Sequence, residues 1–256
     1  MRIALFGDVV GRPGRTILLA NLPKIKAALQ ADFCVVNAEN AAGGSGLTVD
    51  IAKQLLSGGV DVITLGDHAF RQKDYKEMLS LSRVVRPANA TSAPVGVGYV
   101  EVKWKNVDVA VINLQGQTFM QPSQNPFLMA DEILKKISSR VIVVDFHAEA
   151  TSEKIAMGHH LNGRVSIVAG THTHVQTSDA KILHRGTAYI TDLGMVGPEE
   201  SVIGREVEPV LNHFLTGLPQ KFQVADGPCQ VSGALVEVDE QTGIAKSIQT
   251  FSKILE

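Results

Sequence analysis

Short apolar runs, rich in Val and Ile, recur along the 256-residue chain and alternate with longer stretches of helical periodicity. The runs span residues 3–6, 33–36, 60–65, 107–114, 141–146 and 165–169. Each is apolar at nearly every position rather than at alternate ones, which predicts strands covered on both faces. Between them, residues 16–29 read as a helix interrupted by Pro23, implying a kink or a late start. Further helices are predicted over 50–56, stopped by Gly58-Gly59, over 128–137, and over 152–160, ended by Asn162-Gly163. This alternation predicts an α/β protein with a mostly parallel sheet and right-handed crossovers. Two stretches differ. Residues 97–104 alternate and are followed, after Asn106, by another strand; residues 231–238 and 244–251 flank a polar turn. Both read as antiparallel pairs, so the sheet is expected to be mixed. With no low-complexity linker, charge block or repeat, one domain over 1–256 is the economical expectation.

The residues that follow the runs add chemistry to this outline. They are Gly7-Asp8, Asn37-Ala38-Glu39-Asn40, Gly66-Asp67-His68, His147-Ala148-Glu149 and Gly170-Thr171-His172-Thr173-His174. In a parallel sheet these positions share one edge, where open α/β folds bind ligands. Several carboxylates do not occupy one cleft unless a cation offsets their repulsion. With imidazoles among them, a transition-metal site is expected. His172 and His174, two positions apart, point to one face if their segment is extended. Acids and histidines together outnumber the three protein ligands of a mononuclear catalytic zinc, which points to two metal ions. Such pairs drive in-line attack at phosphorus. Glu39, at the middle of the three acidic strand ends, is the candidate bridge. Taken singly, Asp8 reads equally as a helix cap, Asp67 and His68 as a turn, and His147 as a core histidine. Their common place at strand ends of one polarity favours the site.

Composition narrows the function classes. With 24 Lys+Arg against 26 Asp+Glu the net charge is −2, and aromatics are only 5%, which argues against an extended nucleic-acid surface. No run approaches the roughly 18–20 apolar residues of a membrane span. Asp8 arrives too early for a signal-peptide apolar segment, and the two cysteines, Cys34 and Cys229, read as buried thiols, so a cytoplasmic location is expected. Gly11-Arg12-Pro13-Gly14-Arg15 is phosphate-friendly in composition but matches no nucleotide-binding motif, leaving Arg12 a solvated side chain by default. No Gly-x-Ser-x-Gly elbow is present and neither cysteine has a histidine partner, which disfavours serine and thiol hydrolases. His159, His160, His184 and His213 lack acids to match and read as structural or exposed. The sequence leaves room for a homo-oligomer.

The strand-end blocks, together with Asp145-Phe146-His147-Ala148-Glu149-Ala150-Thr151-Ser152-Glu153-Lys154 and the late loop from Asp192 to Pro198, resemble the YmdB-like branch of the calcineurin-like metallophosphoesterases. The resemblance runs over essentially the whole chain. It implies a four-layer α/β/β/α sandwich of mixed sheets with a dinuclear site at one edge. It also implies phosphodiesterase activity, with 2′,3′- and 3′,5′-cyclic AMP as the substrate class. Carried over by position, one metal takes Asp8, Glu39, Asn40 and His174; the other takes the bridging Glu39, Asp67, His147 and His172. A metal-bridged hydroxide is then expected to attack phosphorus while His68, an imidazole of ordinary pKa, protonates the leaving oxygen. Iron is the first expectation for the metals, with manganese or zinc as alternatives. Two departures stand out. Val10 occupies the position where the wider superfamily carries histidine, and Asp67 stands where the branch usually has asparagine. The extra carboxylate is expected to tighten metal binding while weakening Lewis acidity. Two other readings stay open: a metal-dependent hydrolase of amides or esters, and a regulatory protein that binds a cyclic nucleotide and turns it over slowly.

Overall fold

In the computed structural model, which describes residues 1–91 and 95–256, the apolar runs become the centres of two sheets. The first strands are β1 (Arg2–Phe6), β2 (Asp8–Val9), β3 (Phe33–Asn37), β4 (Val62–Thr64) and β5 (Val84–Val85). Next come β6 (Tyr99–Trp104), β7 (Val107–Gln115), β8 (Val141–His147), β9 (Ile167–Thr171), β10 (Lys181–Ile182) and β11 (Ala188–Ile190). The last are β12 (Met195–Pro198), β13 (Cys229–Val238) and β14 (Ala245–Leu255). Helices α1 (Gly11–Leu29), α2 (Val49–Ser57), α3 (Tyr75–Met78), α4 (Pro126–Leu134), α5 (Thr151–Leu161) and α6 (Val207–Thr216) connect them.

One sheet runs β2-β12-β13-β1-β3-β4-β5 with β14 beside β13, and the other β10-β11-β9-β8-β7-β6. Strands β1, β3, β4 and β5 are mutually parallel, as are β7, β8, β9 and β11. The two expected antiparallel pairs are present as β6–β7 and β13–β14.

Side chains of successive strand residues point to opposite faces, and this divides the core into three clusters. Ala4, Phe6, Cys34, Val36 and Ile63 pack beneath Leu18 and Leu22 of α1 and Leu55 of α2. Their neighbours Ile3, Leu5, Phe33, Val35 and Val62 face Val109, Val111, Val141, Val143 and Ile167 of the other sheet. The outer face of that sheet, including Ile112, Val144, Phe146 and Val168, packs on Ala130 and Ile133 of α4 and Met157 and Leu161 of α5. Four layers, α/β/β/α, follow. Each fully buried side chain of this kind stabilises by about 1.5–3 kcal/mol relative to exposure.

Several boundaries differ from the sequence expectation. Helix α1 begins at Gly11 rather than residue 16, because Pro13 lies in the first turn, where amide donors are unpaired anyway. It also continues through Pro23, which forfeits one hydrogen bond while Ile17, Leu18 and Leu22 stay packed on the sheet. Helix α4 starts two residues early, at Pro126, and stops at Leu134 instead of residue 137. Its cap is Asn125, whose side-chain oxygen accepts from Phe127 N at 2.9 Å. Strands β2, β5 and β10 to β12 are two to four residues long, too short for periodicity to register. Among the described residues no helix is long and apolar enough to cross a membrane. Cys34 and Cys229 are free and buried, as expected.

Candidate metal centre

The carboxyl ends of both sheets meet at one edge of the sandwich, and the strand-end residues converge there. Asp8, Glu39 and Asp67 follow β1, β3 and β4; His147 closes β8, and His172 follows β9. Ligand atoms of Glu39, Asp67, His147 and His172 all lie within 4.8 Å of one another. His147 Nε2 sits 3.3 Å from Glu39 Oε1, 3.2 Å from Asp67 Oδ1 and 3.0 Å from His172 Nδ1. A second group adjoins the first through Glu39. His174 Nε2 is 3.8 Å from Asp8 Oδ1 and 3.1 Å from Asn40 Nδ2, and Asn40 Nδ2 donates to Glu39 Oε1 at 3.2 Å. All seven side chains expected to hold metal are therefore brought together. Asn40 turns its nitrogen toward Glu39 and His174, and its oxygen accepts from His68 Nδ1 at 2.9 Å. The close approach depends on Gly66, where a Cβ would overlap Glu39 Oε2 and His147 Nε2.

A buried polar belt aims the histidines. His147 Nδ1–H donates to Thr171 Oγ1 at 2.9 Å, and Thr171 Oγ1–H donates to Asp145 Oδ1 at 2.7 Å. Asn37 Nδ2 and the Thr64 hydroxyl, both from the other sheet, complete the partners of Asp145. His172 Nε2 is 3.0 Å from a Glu149 oxygen, which leaves its Nδ1 facing the cluster. Likewise His174 Nδ1–H donates to Ile203 O at 2.9 Å, leaving Nε2 inward. Metal-ligating histidines are held in this way, the outward N–H fixing the tautomer. Asn37, Thr171 and Asp145 fall within blocks named from the sequence, but neither they nor Thr64 carry a role there. Their signal was a polar residue interrupting or ending an apolar strand.

The pair His172 and His174 reaches the site by a different route from the extended segment expected. Strand β9 ends at Thr171, and both histidines adopt left-handed backbone, with φ of 104° and 66°. Such conformations cost about 1–3 kcal/mol each and persist only where the surroundings impose them. Here they do. His172 N donates to Asp8 Oδ2 at 3.0 Å, and Thr173 N donates to Asp192 Oδ2 at 3.1 Å. Asp192 is in turn paired with the buried Lys154 at 2.6 Å. The tight turn folds the two imidazoles toward separate halves of the cluster, which an extended strand would not do.

The electrostatics fit a cation. Asp8 Oδ1 is fully buried and lacks a hydrogen-bond partner among the described residues. Burial raises the Asp8 carboxyl to about 6, against the lowering pull of His174 and His147. Burial also opposes the charge on Glu39, yet His147 and His68 hold it well below the usual carboxylate range. His147 is driven the other way, burial being outweighed by Glu39 and Asp67. With their outer N–H groups donating elsewhere, His147 Nε2 and His172 Nδ1 face each other as lone pairs unless a proton or a cation lies between. The oxygen and imidazole donors suit divalent or trivalent transition metals.

A stability prediction follows from Asp8. Its pKa is raised in the fold, so metal-free stability falls as pH rises from about 4 to about 6, and the full penalty applies above that. In chelator, Asp8→Asn is expected to be more stable than the parent by about 1–3 kcal/mol at neutral pH. The gain should vanish near pH 4. Denaturant titrations at the two pH values check this; equal stability at neutral pH would refute it.

A cavity of about 280 Å³ opens over this centre, lined by Glu39, Asn40, His68, Glu149, His174 and Arg205 among others. The Arg205 guanidinium bonds the carbonyls of Gly43 and Gly44 and has no carboxylate partner among the described residues. His68 departs from the ordinary pKa expected. Its hydrogen bond to Glu39 raises it, burial opposes, and the charges of Glu39 and Asp67 add to the rise. Arg12 lies elsewhere, exposed beside Pro13 and Asp226. His160, His184 and His213 bond Asp131, Asn162 and Leu218 O and line neither this cavity nor the cluster.

Acids and imidazoles converging at the carboxyl edge of a four-layer α/β/β/α sandwich define a metallophosphoesterase-type site. The chain belongs to the YmdB-like protein family, whose model matches residues 4–251. It is 46% identical over 252 residues to a 2′,3′-cyclic-nucleotide 2′-phosphodiesterase of Bacillus subtilis strain 168, covering 97% of this chain and 96% of that protein. A solved structure of a hypothetical protein from Thermus thermophilus is 38% identical, with a TM-score of 0.94 and 99% of each chain covered. A phosphatase structure from Mycoplasma pneumoniae is 35% identical with the same TM-score of 0.94, covering 99% of this chain and 93% of that one.

Proposed function

We propose that the chain is a metal-dependent phosphodiesterase acting on 2′,3′-cyclic nucleotides, and on 3′,5′-cyclic AMP as a further substrate. The supporting observation is the buried Asp8 oxygen, without a hydrogen-bond partner among the described residues, beside a carboxylate and imidazole set in a chain with a 2′,3′-cyclic-nucleotide phosphodiesterase relative. Asp8, Glu39, Asn40 and His174 would hold one metal ion, with the Asn40 amide turned to present its oxygen. Glu39, Asp67, His147 and His172 would hold the second. Iron is the first candidate, manganese or zinc the alternatives. When bound, such a pair lowers the pKa of water and offsets charge on the phosphoryl oxygens. The remaining work falls to the protein. Arg205 on the cavity rim offers a guanidinium to the substrate phosphate. His68, whose Nδ1 lies 3.2 Å from Glu39, would supply the proton to the leaving oxygen.

Purified protein should carry close to two equivalents of metal by elemental mass spectrometry and hydrolyse 2′,3′-cyclic AMP. Undiminished hydrolysis after chelation would overturn the reading.

Asp67 makes a sharper test. Burial opposes its charge, but the hydrogen bond from His147 keeps its carboxyl below the ordinary value, so the site carries one more negative charge than an asparagine would give. Asp67→Asn is expected to raise kcat about three- to tenfold and to weaken metal retention by a similar factor. If neither rate nor retention moves, the charge at 67 has no part in tuning the site.

A further inference from the structure

A second cavity, of about 370 Å³, shares Asp67 and His172 with the metal centre and extends away from it between Phe70, Gln115, Phe119 and Met120. We infer that this cavity is a nucleobase subsite, which seats the adenine of a cyclic nucleotide while the phosphodiester lies over the metal centre. The inference rests on the phosphodiesterase reading above and adds to it the source of substrate selectivity.

Three observations carry it. Gln115 ends β7 in register with His147 and is only 4% exposed. Its backbone is satisfied, N–H donating to Asn89 Oδ1 at 2.8 Å and the carbonyl accepting from Asn89 Nδ2 at 2.7 Å. Its side-chain amide has no hydrogen-bond partner among the described residues and borders the cavity. Lining the cavity with no protein partner among the described residues, the amide is free to pair with a ligand in place of water. One amide presents a donor and an acceptor side by side, which is the complement of an adenine edge.

Phe119 supplies the second observation. It is 90% exposed, yet its backbone is left-handed, with φ of 62°. Left to itself a phenylalanine would avoid both conditions. The loop is held because the Glu153 carboxylate accepts Gln117 N–H at 2.8 Å and Thr118 N–H at 3.1 Å. An exposed ring at the rim of a cavity, on a backbone braced at Gln117 and Thr118, is a platform for the face of a base.

The third observation is the origin of that brace. Glu153 lies in α5, and the same short stretch carries His147, Glu149, which holds His172, and Lys154, which holds Asp192. The connection from β8 into α5 thus carries His147, the partner of His172 and the brace of the Phe119 loop. Beyond Asp67 and His172 the lining residues among those described are aromatic, thioether, alanine and amide, with no further charge. That suits a flat ring with an apolar face and polar edges.

The test compares 2′,3′-cyclic AMP with methyl riboside 2,3-cyclic phosphate, which lacks the base, on the metal-loaded enzyme. Phe119→Ala is expected to lower the nucleotide-to-riboside ratio of kcat/KM about five- to 100-fold, acting through KM. Phe119→Trp should restore it, and Gln115→Met should lower it as well. An unchanged ratio in Phe119→Ala overturns the subsite. Calorimetric titration with adenosine 3′-monophosphate reads the subsite without turnover. Equal affinity for parent and Phe119→Ala overturns it there too, and weaker affinity in the variant supports it. Failure of the parent protein to hydrolyse either cyclic phosphate strikes the phosphodiesterase reading, whereas hydrolysis of both with no Phe119 effect strikes the subsite alone.

Discussion

Glu39→Ala is expected to reduce turnover of 2′,3′-cyclic AMP by about a thousandfold or more and to lower bound metal from about two ions to one or none. In the proposed ligand set Glu39 is the side chain shared by both ions. Glu39 is 1% exposed, lies 3.3 Å from His147 Nε2 and 3.2 Å from His68 Nδ1, and accepts the Asn40 amide. Its removal leaves two imidazoles and a buried Asp8 without the charge that organises them. Glu39→Gln keeps the shape and loses the charge, so it separates packing from electrostatics. A Glu39→Gln protein with two metals and the parental rate would exclude a bridging role. Elemental analysis and steady-state kinetics on one preparation read both quantities.

The second large effect belongs to His68. His68→Ala is expected to lower kcat for 2′,3′-cyclic AMP by about 10²–10⁴ with metal content near the parental value. The loss should depend on the leaving group. The sugar alkoxide needs a proton as the bond to phosphorus breaks, whereas p-nitrophenolate does not. Hydrolysis of bis-p-nitrophenyl phosphate should therefore fall by no more than about tenfold in the same variant. The pH profile supplies an independent check. A general acid works while protonated, so parental activity should decline as pH rises through the His68 pKa. That alkaline limb should be absent from His68→Ala. Equal losses for both leaving groups would assign His68 a positioning role instead.

Much of this site is legible along the chain. Gly7-Asp8, Gly66-Asp67-His68 and Gly170-Thr171-His172 each follow an apolar run, and the parallel polarity of those runs already places the acids and imidazoles at one edge. What periodicity does not convey is that the runs divide between two sheets. Strands β1, β3 and β4 and strands β7, β8 and β9 have the same burial on both faces, because the faces between the sheets and beneath the helices are equally apolar. The family resemblance implies two sheets, and the tertiary structure shows which strands each contains. The short strands β10 to β12 and helix α6 left no long apolar signature.

Some functional positions lay outside local reading altogether. Asp145, Thr64 and Asn37 come from three strands, 81 and 108 positions apart along the pairs that bond, and only their packing shows that they aim His147. The same holds for Gln115 and Phe119, which look like an ordinary strand end and loop until His172 and Asp67 stand beside them.

By itself the sequence determined the alternation of strand and helix, the residues available at each strand end, and a set of carboxylates and imidazoles that could hold a cation. Those depend on side-chain type and spacing, which are local. Tertiary structure alone decided which sheet each strand joined, the left-handed turn that splits His172 from His174, and the protonation bias of Asp8, His68 and His147. Each of these is a matter of burial and of contacts between residues far apart in the chain, and neither has a local signature for spacing to record.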